Sequence, residues 1–161
     1  MKNPQQLLKS VAALLIQQTT ISLATSGADG EPSVAPLFYL PGPDLSLYWL
    51  SSRSSLHSRN IAREPRAAAT VYRNAASWRE IRGVQIRGSA AVVADPERCA
   101  PLLDAYCERF KLGRVLRLAA RQSTLYVFEP DFIRSIDNAS GFGSKFELTR
   151  SAPGWTLTRS L

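Results

Sequence analysis

Short segments rich in β-branched and aromatic residues recur through this chain, and turn-forming residues separate them. The first two, 19–26 and 33–40, flank the sequence GADG and predict a β-hairpin. Pro36 cannot donate a backbone hydrogen bond, so we expect an edge, a bulge or a missing pairing at that point. Further strands are predicted at 45–50, 67–72, 80–94, 125–128 and 132–136 (with a bend at 129–131), and a short edge strand or a loose tail at 151–161.

Helical spacing of apolar residues is found before the first strand and between later strands. Asn3 and Pro4 suit the cap and the first turn of a helix that runs to Gln17. A meander of about six or seven antiparallel strands with capping α-helices is typical of a mainly β fold, a small closed or partly closed barrel. The length favours a single domain over residues 1–161. The other helices are predicted at 54–63, 96–110 and 112–121.

The segment 80–94 is the longest predicted strand, and its two faces differ in chemistry. Gln85, Arg87 and Ser89 share one face, whereas the alternating residues of the other face are apolar. A strand with one apolar face fits a barrel wall. We therefore expect its polar face to meet a ligand, solvent or a partner subunit.

Residues 45–65 combine a strand, a hydroxyl-rich turn and the start of a basic helix. The turn at 51–55 reads Ser-Ser-Arg-Ser-Ser, and the helix carries His57, the only histidine, and Arg59. Hydroxyls, backbone N–H groups and cations therefore meet at one point, and a phosphate is the ligand that suits such a point best. The alternative is an ordinary loop that ends in a helix cap.

The scarcity of histidine and cysteine excludes several kinds of site. One histidine and two cysteines cannot build a multi-histidine metal site or a zinc cluster, so no metal is expected. Cys99 and Cys107 are too far apart on one helix for a disulfide, which favours free thiols in the cytoplasm. No apolar run approaches the ~20 residues of a membrane span. With no nucleophile elbow or Walker loop, an enzymatic activity would require a cofactor.

The order of these segments resembles the flavin-binding split-barrel superfamily typified by the pyridoxamine 5'-phosphate oxidases. The matching sequences are PSVAPLFYL, LYWLSSRSSLHSRNIAREPRAAATVY and IRGVQIRGSAAVV. The later sequences YCERF and IDNASGFGSKF resemble more narrowly a small uncharacterised bacterial branch of that superfamily. The resemblance covers roughly residues 5 to 147 and implies a split β-barrel with capping helices.

The resemblance also implies FMN as the cofactor, bound between the two subunits of a homodimer. The residues that bind the FMN phosphate in the oxidases correspond here to Ser51, Ser55, Leu56 and His57. Leu56 stands where the oxidases have arginine, and His57 stands where they have lysine. The candidate replacements for the missing cation are Arg53 and Arg59.

Two further parts of the chain correspond to places around the flavin ring. The backbone of Pro36, Leu37 and Phe38 is expected along the isoalloxazine edge, and Gln85 near the glutamine that the oxidases present to the flavin. Lys145 ends the glycine-rich sequence NASGFGSK and is expected near a phosphate or substrate if that loop closes over a ligand. The pyridoxal-phosphate-binding residues of the oxidases have no recognisable counterparts, so the substrate is an unknown small molecule.

Three functions remain open at this point. The first is an FMN-binding protein, most simply a flavin-dependent oxidoreductase with the flavin at a homodimer interface. The second is a haem-binding or haem-degrading split-barrel protein, in which His57 would be the sole imidazole available to the iron. The third is a nucleic-acid-binding module that uses the net charge of +7, and it ranks last because aromatic and basic residues interleave poorly.

Overall fold

The computed structural model describes residues 3–152 and 154–160. Residues 1, 2, 153 and 161, which belong to the predicted domain and its C-terminal segment, lie outside the described residues. The helices are α1 (Pro4–Gln17), α2 (Leu56–Arg63), α3 (Pro96–Arg109) and α4 (Arg114–Gln122). The strands are β1 (Thr20–Ser26), β2 (Pro32–Phe38), β3 (Leu40–Pro41), β4 (Leu47–Ser51), β5 (Arg66–Tyr72), β6 (Arg82–Val92), β7 (Thr124–Asp137), β8 (Lys145–Ser151) and β9 (Gly154–Ser160).

These strands form one antiparallel sheet that curls into a split barrel. The strand order is β2-β1-β5-β6-β7-β4-β3, and β8 joins β7 and carries β9. Only Tyr39 separates β2 from β3, so one stretch of chain pairs with β1 at one end of the order and with β4 at the other. The predicted mainly β split barrel with capping helices is confirmed. The described residues form nine strands, because β3 and β8 add to the prediction and the C-terminal segment forms the edge strand β9.

The ends of the strand order explain the proline in the second strand. β2 forms one end of the order, and its Pro36 lies opposite Ser22 of β1. An edge strand needs donors on one side only, so it tolerates a residue without an N–H group. The first of the three expectations for Pro36, an edge, is therefore confirmed.

The predicted bend at 129–131 is instead a β-bulge within one long strand. β7 runs without a break beside β6, but the pairing skips Asp131 between Phe132 and Pro130. The β6 residue at this step is Gly88, where a Cβ atom would overlap the Glu129 carbonyl oxygen. Proline and acidic residues are typical of turns, which explains why the sequence predicts two strands with a bend between them rather than one continuous strand. The bulge bends the barrel wall without interrupting it.

The C-terminal region ends in a further hairpin, formed by β8 and β9. Residues 138–140 make a short 3-10 turn, and β8 then pairs with both β7 and β9. The sequence predicts a loop at 138–145 and no strand at β8. Lys145 is thus the first residue of β8, opposite Ile136, rather than the last residue of a loop.

Both faces of the sheet bury apolar side chains where helices cover them. The Asn3 side chain accepts a hydrogen bond from the Gln5 amide, as predicted for the cap of α1, and α1 buries three residues in the barrel core. On the opposite face of β4 and β7, α3 packs through Cys99 and Leu102 over a second cluster. Cys99 and Cys107 are both free, as predicted. No helix in the described part of the chain is long and apolar enough to cross a membrane.

Candidate functional site

Three of the predicted phosphate-binding residues lie in contact at the start of α2. Ser51 ends β4, Ser55 caps α2, and His57 is the second residue of that helix. The Oγ atom of Ser51 lies 2.8 Å from Nε2 of His57, and Oγ of Ser55 lies 3.1 Å from both of these atoms. We call this group the Ser–Ser–His cluster. It places two hydroxyls and an imidazole within hydrogen-bonding distance of one another at one end of the barrel.

The helix beneath the cluster adds a favourable field for an anion. Ser55 Oγ accepts a hydrogen bond from the Ser58 amide at 3.4 Å, which is the usual N-cap arrangement. The first N–H groups of a helix lack partners within the helix, and its dipole places partial positive charge at this end. The cluster therefore combines rotatable hydroxyls with a positive helix end.

The cluster carries little full positive charge in the described structure. Burial lowers the pKa of His57 below its ordinary value, so the imidazole is neutral near pH 7. Arg59 donates through Nη1 to the Ser54 carbonyl oxygen, and Arg53 is exposed in the turn. Leu56, at the position of the oxidases' arginine, is exposed as well. Any anion bound here is thus held mainly by hydroxyl and backbone donors unless an arginine side chain turns toward it.

The lowered pKa of His57 predicts a pH dependence of stability. The unfolded chain, with an imidazole pKa of about 6.5, binds the proton more readily than the native state does. The contribution of the neutral His57 imidazole to the free energy of unfolding is therefore complete above about pH 6.5, and it is lost as the pH falls through the lower pKa of the native state. We expect the wild type to lose more free energy of unfolding than His57→Gln between about pH 7 and pH 5. Urea titrations of both proteins across that range measure the difference, and parallel curves would contradict it.

Helix α2 is anchored to the barrel by buried polar contacts. Asn60 Nδ2 donates to Thr25 Oγ1 at 3.0 Å, and both residues are buried. At the exposed end of the helix, Arg63 donates through Nη2 to the Ser26 carbonyl oxygen at 2.7 Å. These bonds fix the helix against the end of β1 and so fix where the Ser–Ser–His cluster points.

Removal of the buried anchor is expected to destabilise the protein. Asn60→Ala leaves the Thr25 hydroxyl without its partner, and an unsatisfied buried polar group costs about 1–3 kcal/mol. We expect a loss of about 2 kcal/mol in the free energy of unfolding, measured by urea titration. Arg63→Ala is the control at the exposed end of the same helix, where a loss of less than about 1 kcal/mol is expected. Equal losses in the two variants would contradict the anchoring role.

The outer face of the barrel carries a groove of about 460 Å³ that crosses β2, β1, β5, β6 and β7. Antiparallel register places facing residues of successive strands in two rows across this groove. Small side chains from β1 and β5 form a flat floor, and longer ones from β6 and β7 form one wall. The first row is Ser22, Thr70, Gln85 and Arg134, and the second is Ala24, Ala68, Arg87 and Phe132.

The charged residues of the outer groove are held in different ways. Arg134 donates through Nε to Glu147 Oε1 at 2.8 Å, and its Nη1 lies 3.4 Å from Gln85 Oε1. Arg87 lies over the Phe132 ring, 4.0 Å from its centroid, and forms no ion pair within residues 3–152 and 154–160. The groove thus offers a floor of small side chains beside one unpaired guanidinium and one amide.

The remaining predicted site residues are distributed along β2 and β8. The side chains of Pro36 and Phe38 face outward, whereas Leu37 is half-buried and faces the barrel. The Phe38 carbonyl oxygen lies 3.5 Å from the Tyr106 hydroxyl. Lys145 lies on the outer face, two residues before Glu147 on β8. Of the predicted residues, only Gln85 lines the outer groove, and the groove does not include the Ser–Ser–His cluster.

Sequence reasoning missed most of the groove. Phe132 and Arg134 alternate with the buried residues Ile133 and Ser135, so the alternation along β7 could have shown that Phe132 and Arg134 share the outward face. That signal tells which residues share a face, but it does not tell which strand lies beside which. The groove depends on register between β1, β5, β6 and β7, and the structure supplies that information.

The curled sheet, the helix-capped barrel end and the groove on its outer face define a split-barrel protein. The family model described as pyridoxamine 5'-phosphate oxidase matches residues 7–132, and the chain belongs to that family. A UPF0306 protein of Klebsiella pneumoniae is 29% identical over 146 residues, which cover 90% of this chain and 95% of that protein. A UPF0306 protein of Yersinia pseudotuberculosis is 28% identical over 155 residues, 95% of this chain and 99% of the relative.

Solved structures share the fold at low sequence identity. Campylobacter jejuni ChuZ superposes with a TM-score of 0.79 and 18% identity, over 97% of this chain and 63% of that one. An FMN-binding protein of Nostoc punctiforme related to pyridoxamine 5'-phosphate oxidase superposes with a TM-score of 0.72 and 13% identity, over 99% of this chain and 97% of that one. HutZ, described as a haem storage protein of Vibrio cholerae, superposes with a TM-score of 0.64 and 19% identity, over 81% of this chain and 91% of that one. The same fold thus occurs in proteins described as binding different cofactors, so the ligand must be argued from the site.

Proposed function

We propose that this chain binds FMN between the subunits of a homodimer and acts as a flavin-dependent oxidoreductase on a small molecule. The observation that carries the proposal is the Ser–Ser–His cluster at the start of α2. Two hydroxyls, an imidazole and the N–H groups of a helix end are the donors that a phosphate monoester requires. Membership of the pyridoxamine 5'-phosphate oxidase family supports the same assignment.

The outer groove suits the isoalloxazine ring. Its volume of about 460 Å³ lies within the range of roughly 300–1,000 Å³ found for small-molecule sites. The floor of small side chains is flat, and Gln85 supplies an amide at its wall. Lys145 on the same outer face is the candidate cation for a substrate or for the flavin edge. A bound flavin would supply hydride or electron transfer, and the protein would supply orientation and electrostatics.

A partner subunit accounts for the exposed apolar side chains of the same face. Val34 is 65% exposed, and Phe38 and Tyr72 are each 57% exposed. Contiguous apolar surface of this kind commonly marks an interface. We propose that the second subunit covers Val34 and Tyr72 and completes the groove. The two free cysteines favour a reducing compartment, and we place the protein in the cytoplasm on that ground.

The second candidate function is haem binding, which is suggested by the structural similarity to a haem storage protein. The sole histidine is the obvious iron ligand, but Nε2 of His57 already lies within hydrogen-bonding distance of two hydroxyls. An iron bond at that nitrogen would require both contacts to break. A phosphate oxygen can instead accept from hydroxyls that rotate in place and from the N–H groups of the helix end, so the geometry supports a phosphate ligand better than a haem at this position. Nucleic-acid binding ranks third because it rests on the net charge alone.

One set of binding measurements separates these candidates. We expect the purified protein to bind FMN saturably, to have a dimer mass by light scattering, and to show no DNA binding with the steep salt dependence of phosphate contacts. Absence of FMN binding at tens of micromolar would overturn the proposal. A Soret band on addition of haemin that disappears in His57→Ala would instead support the second candidate. If the protein binds FMN as a monomer, the proposed dimer interface is wrong and the proposed cofactor is still correct.

A further inference from the structure

A separate pocket, smaller than the outer groove, lies beside Phe38. It measures about 310 Å³ and lies where β2 and β4 meet α3 and α4. None of the residues that line it contributes to the outer groove. We call it the aromatic pocket and define it by Phe38, Tyr106, Phe110, Leu112, Leu116 and Ala119.

Three aromatic rings form one wall of this pocket. The centroids of Phe38 and Phe110 are 5.1 Å apart, and those of Phe110 and Tyr106 are 4.7 Å apart, with an angle of 52° between the planes in each pair. Tilted rings present both faces and edges, which is the arrangement that a further aromatic ring prefers to join. Phe38 is 57% exposed although its ring packs against Phe110, so this side of the ring cluster is open to a further ring.

The polar groups of the aromatic pocket favour an uncharged ligand. No charged side chain lines it among the described residues. The nearby Arg109 donates to the carbonyl oxygens of Ile16 and Gln18 instead. Burial raises the pKa of Tyr106 to about 12, so its hydroxyl is a neutral donor. Its only hydrogen-bond contact among the described residues, 3.5 Å to the Phe38 carbonyl oxygen, is longer than an ordinary O–H···O bond.

Helix α4 closes the pocket without being packed tightly itself. Only Ala120 of this helix is buried, whereas Leu116 and Ala119 line the pocket with their side chains largely exposed. Three large apolar residues of α4 lie in solvent on one nine-residue helix.

The aromatic pocket is close to the proposed flavin site along β2. Val34 lines the outer groove and Phe38 lines the aromatic pocket, four residues further along the same outward face. At ~3.3 Å per residue the two are separated by about 13 Å, so a ligand needs further rings or a side chain of that length to reach from one to the other. A molecule held in the aromatic pocket would therefore extend toward the groove.

We propose that the aromatic pocket binds the substrate through an uncharged aromatic ring, with a ring hydroxyl or carbonyl bonded to the Tyr106 hydroxyl. The binding of an uncharged aromatic ligand is inferred from the pocket alone. The role of that ligand as the substrate rests on the proposed flavin function. No cation lines the pocket among the described residues, so we do not expect it to hold the carboxylate or phosphate group of a ligand.

The test uses 2-naphthol as the probe, because it is planar, uncharged at pH 7 and carries one hydroxyl. We expect saturable binding to the whole protein by isothermal titration calorimetry, and at least a tenfold loss of affinity in Ala119→Leu, which fills the pocket. Ala105→Leu is the matched control, since it makes the same change at an exposed alanine of α3 outside the pocket. Absence of binding by the wild type, or equal affinity in Ala119→Leu, would overturn the proposal.

A second variant tests the polar contact without filling the pocket. In Tyr106→Phe we expect the preference for 2-naphthol over naphthalene to fall by at least fivefold, with the affinity for naphthalene unchanged. Tighter binding of 2-naphthoate than of 2-naphthol would overturn the uncharged class. If 2-naphthol dissociates the dimer, the occupant is a side chain of the partner subunit and the substrate assignment fails. FMN titration of the same samples is read separately, so loss of the flavin function alone leaves the naphthol result intact.

Discussion

Ser55→Ala combined with His57→Ala is expected to weaken FMN binding by about 100-fold while riboflavin binding changes little. Each residue offers one donor to the phosphate, and a hydrogen bond to a charged group contributes about 1.5–3 kcal/mol. Loss of two such bonds amounts to about 3 kcal/mol, which corresponds to a factor of about 100 in affinity. Riboflavin lacks the phosphate and so reports the ring site alone. Fluorescence titration of both flavins against each protein measures the two affinities.

The double variant needs a control because Ser55 also caps α2. Loss of an N-cap costs about 1 kcal/mol of stability, whatever the residue binds. Asn3→Ala removes the equivalent cap of α1, far along the chain from the Ser–Ser–His cluster, and is expected to leave both flavin affinities unchanged. A parallel loss of FMN and riboflavin binding in the double variant would place the phosphate elsewhere. An unchanged FMN affinity would remove the cluster from the proposal.

Gly88→Val is expected to reduce the free energy of unfolding by about 3 kcal/mol or more, the largest stability effect we predict. A Cβ atom at this position overlaps the Glu129 carbonyl oxygen and approaches the Pro130 backbone. Overpacking costs about 1–3 kcal/mol even where side chains can shift, and here the obstacle is backbone of the paired strand. The bulge at Asp131 would have to open or move along β7. Urea titration monitored by tryptophan fluorescence measures the loss.

Gly154→Ala is the control for the change at Gly88. A Cβ atom at Gly154 meets no atom within 4 Å, so we expect a change of no more than about 0.5 kcal/mol. A loss below about 1 kcal/mol in Gly88→Val would show that the bulge adapts easily. In that case the groove wall beside it, which includes Arg87, would be more mobile than the pairing indicates.

Local features of the chain were predictable from sequence because their partners are close in the chain. The Asn3 cap and the Ser–Ser–His cluster each join residues no more than six positions apart. Turn composition separated β1 from β2, and alternation identified the outward face of β6 on which Gln85 lies. These signals rest on backbone preferences and side-chain period, which act before any tertiary contact forms.

Features that depend on distant pairing were not predictable in the same way. The residues at 129–131 carry turn chemistry, yet β6 offers a continuous ladder and Gly88 leaves space for the bulge, so the strand continues. The pairing of β8 with β7 likewise overrides the loop expected before Lys145. The aromatic pocket joins Phe38 to Phe110, 72 positions later, and no local pattern carries that information.

The segment from β2 to β3 also affects the tendency of the protein to aggregate. Three of its ten residues are proline, so it lacks the regular series of N–H donors that another chain would need for strand addition. Edge strands without such protection act as templates for aggregation and amyloid growth. We infer that the protein resists fibril formation at this edge, and that recruitment of any second chain takes place across side-chain surfaces rather than through a shared backbone ladder.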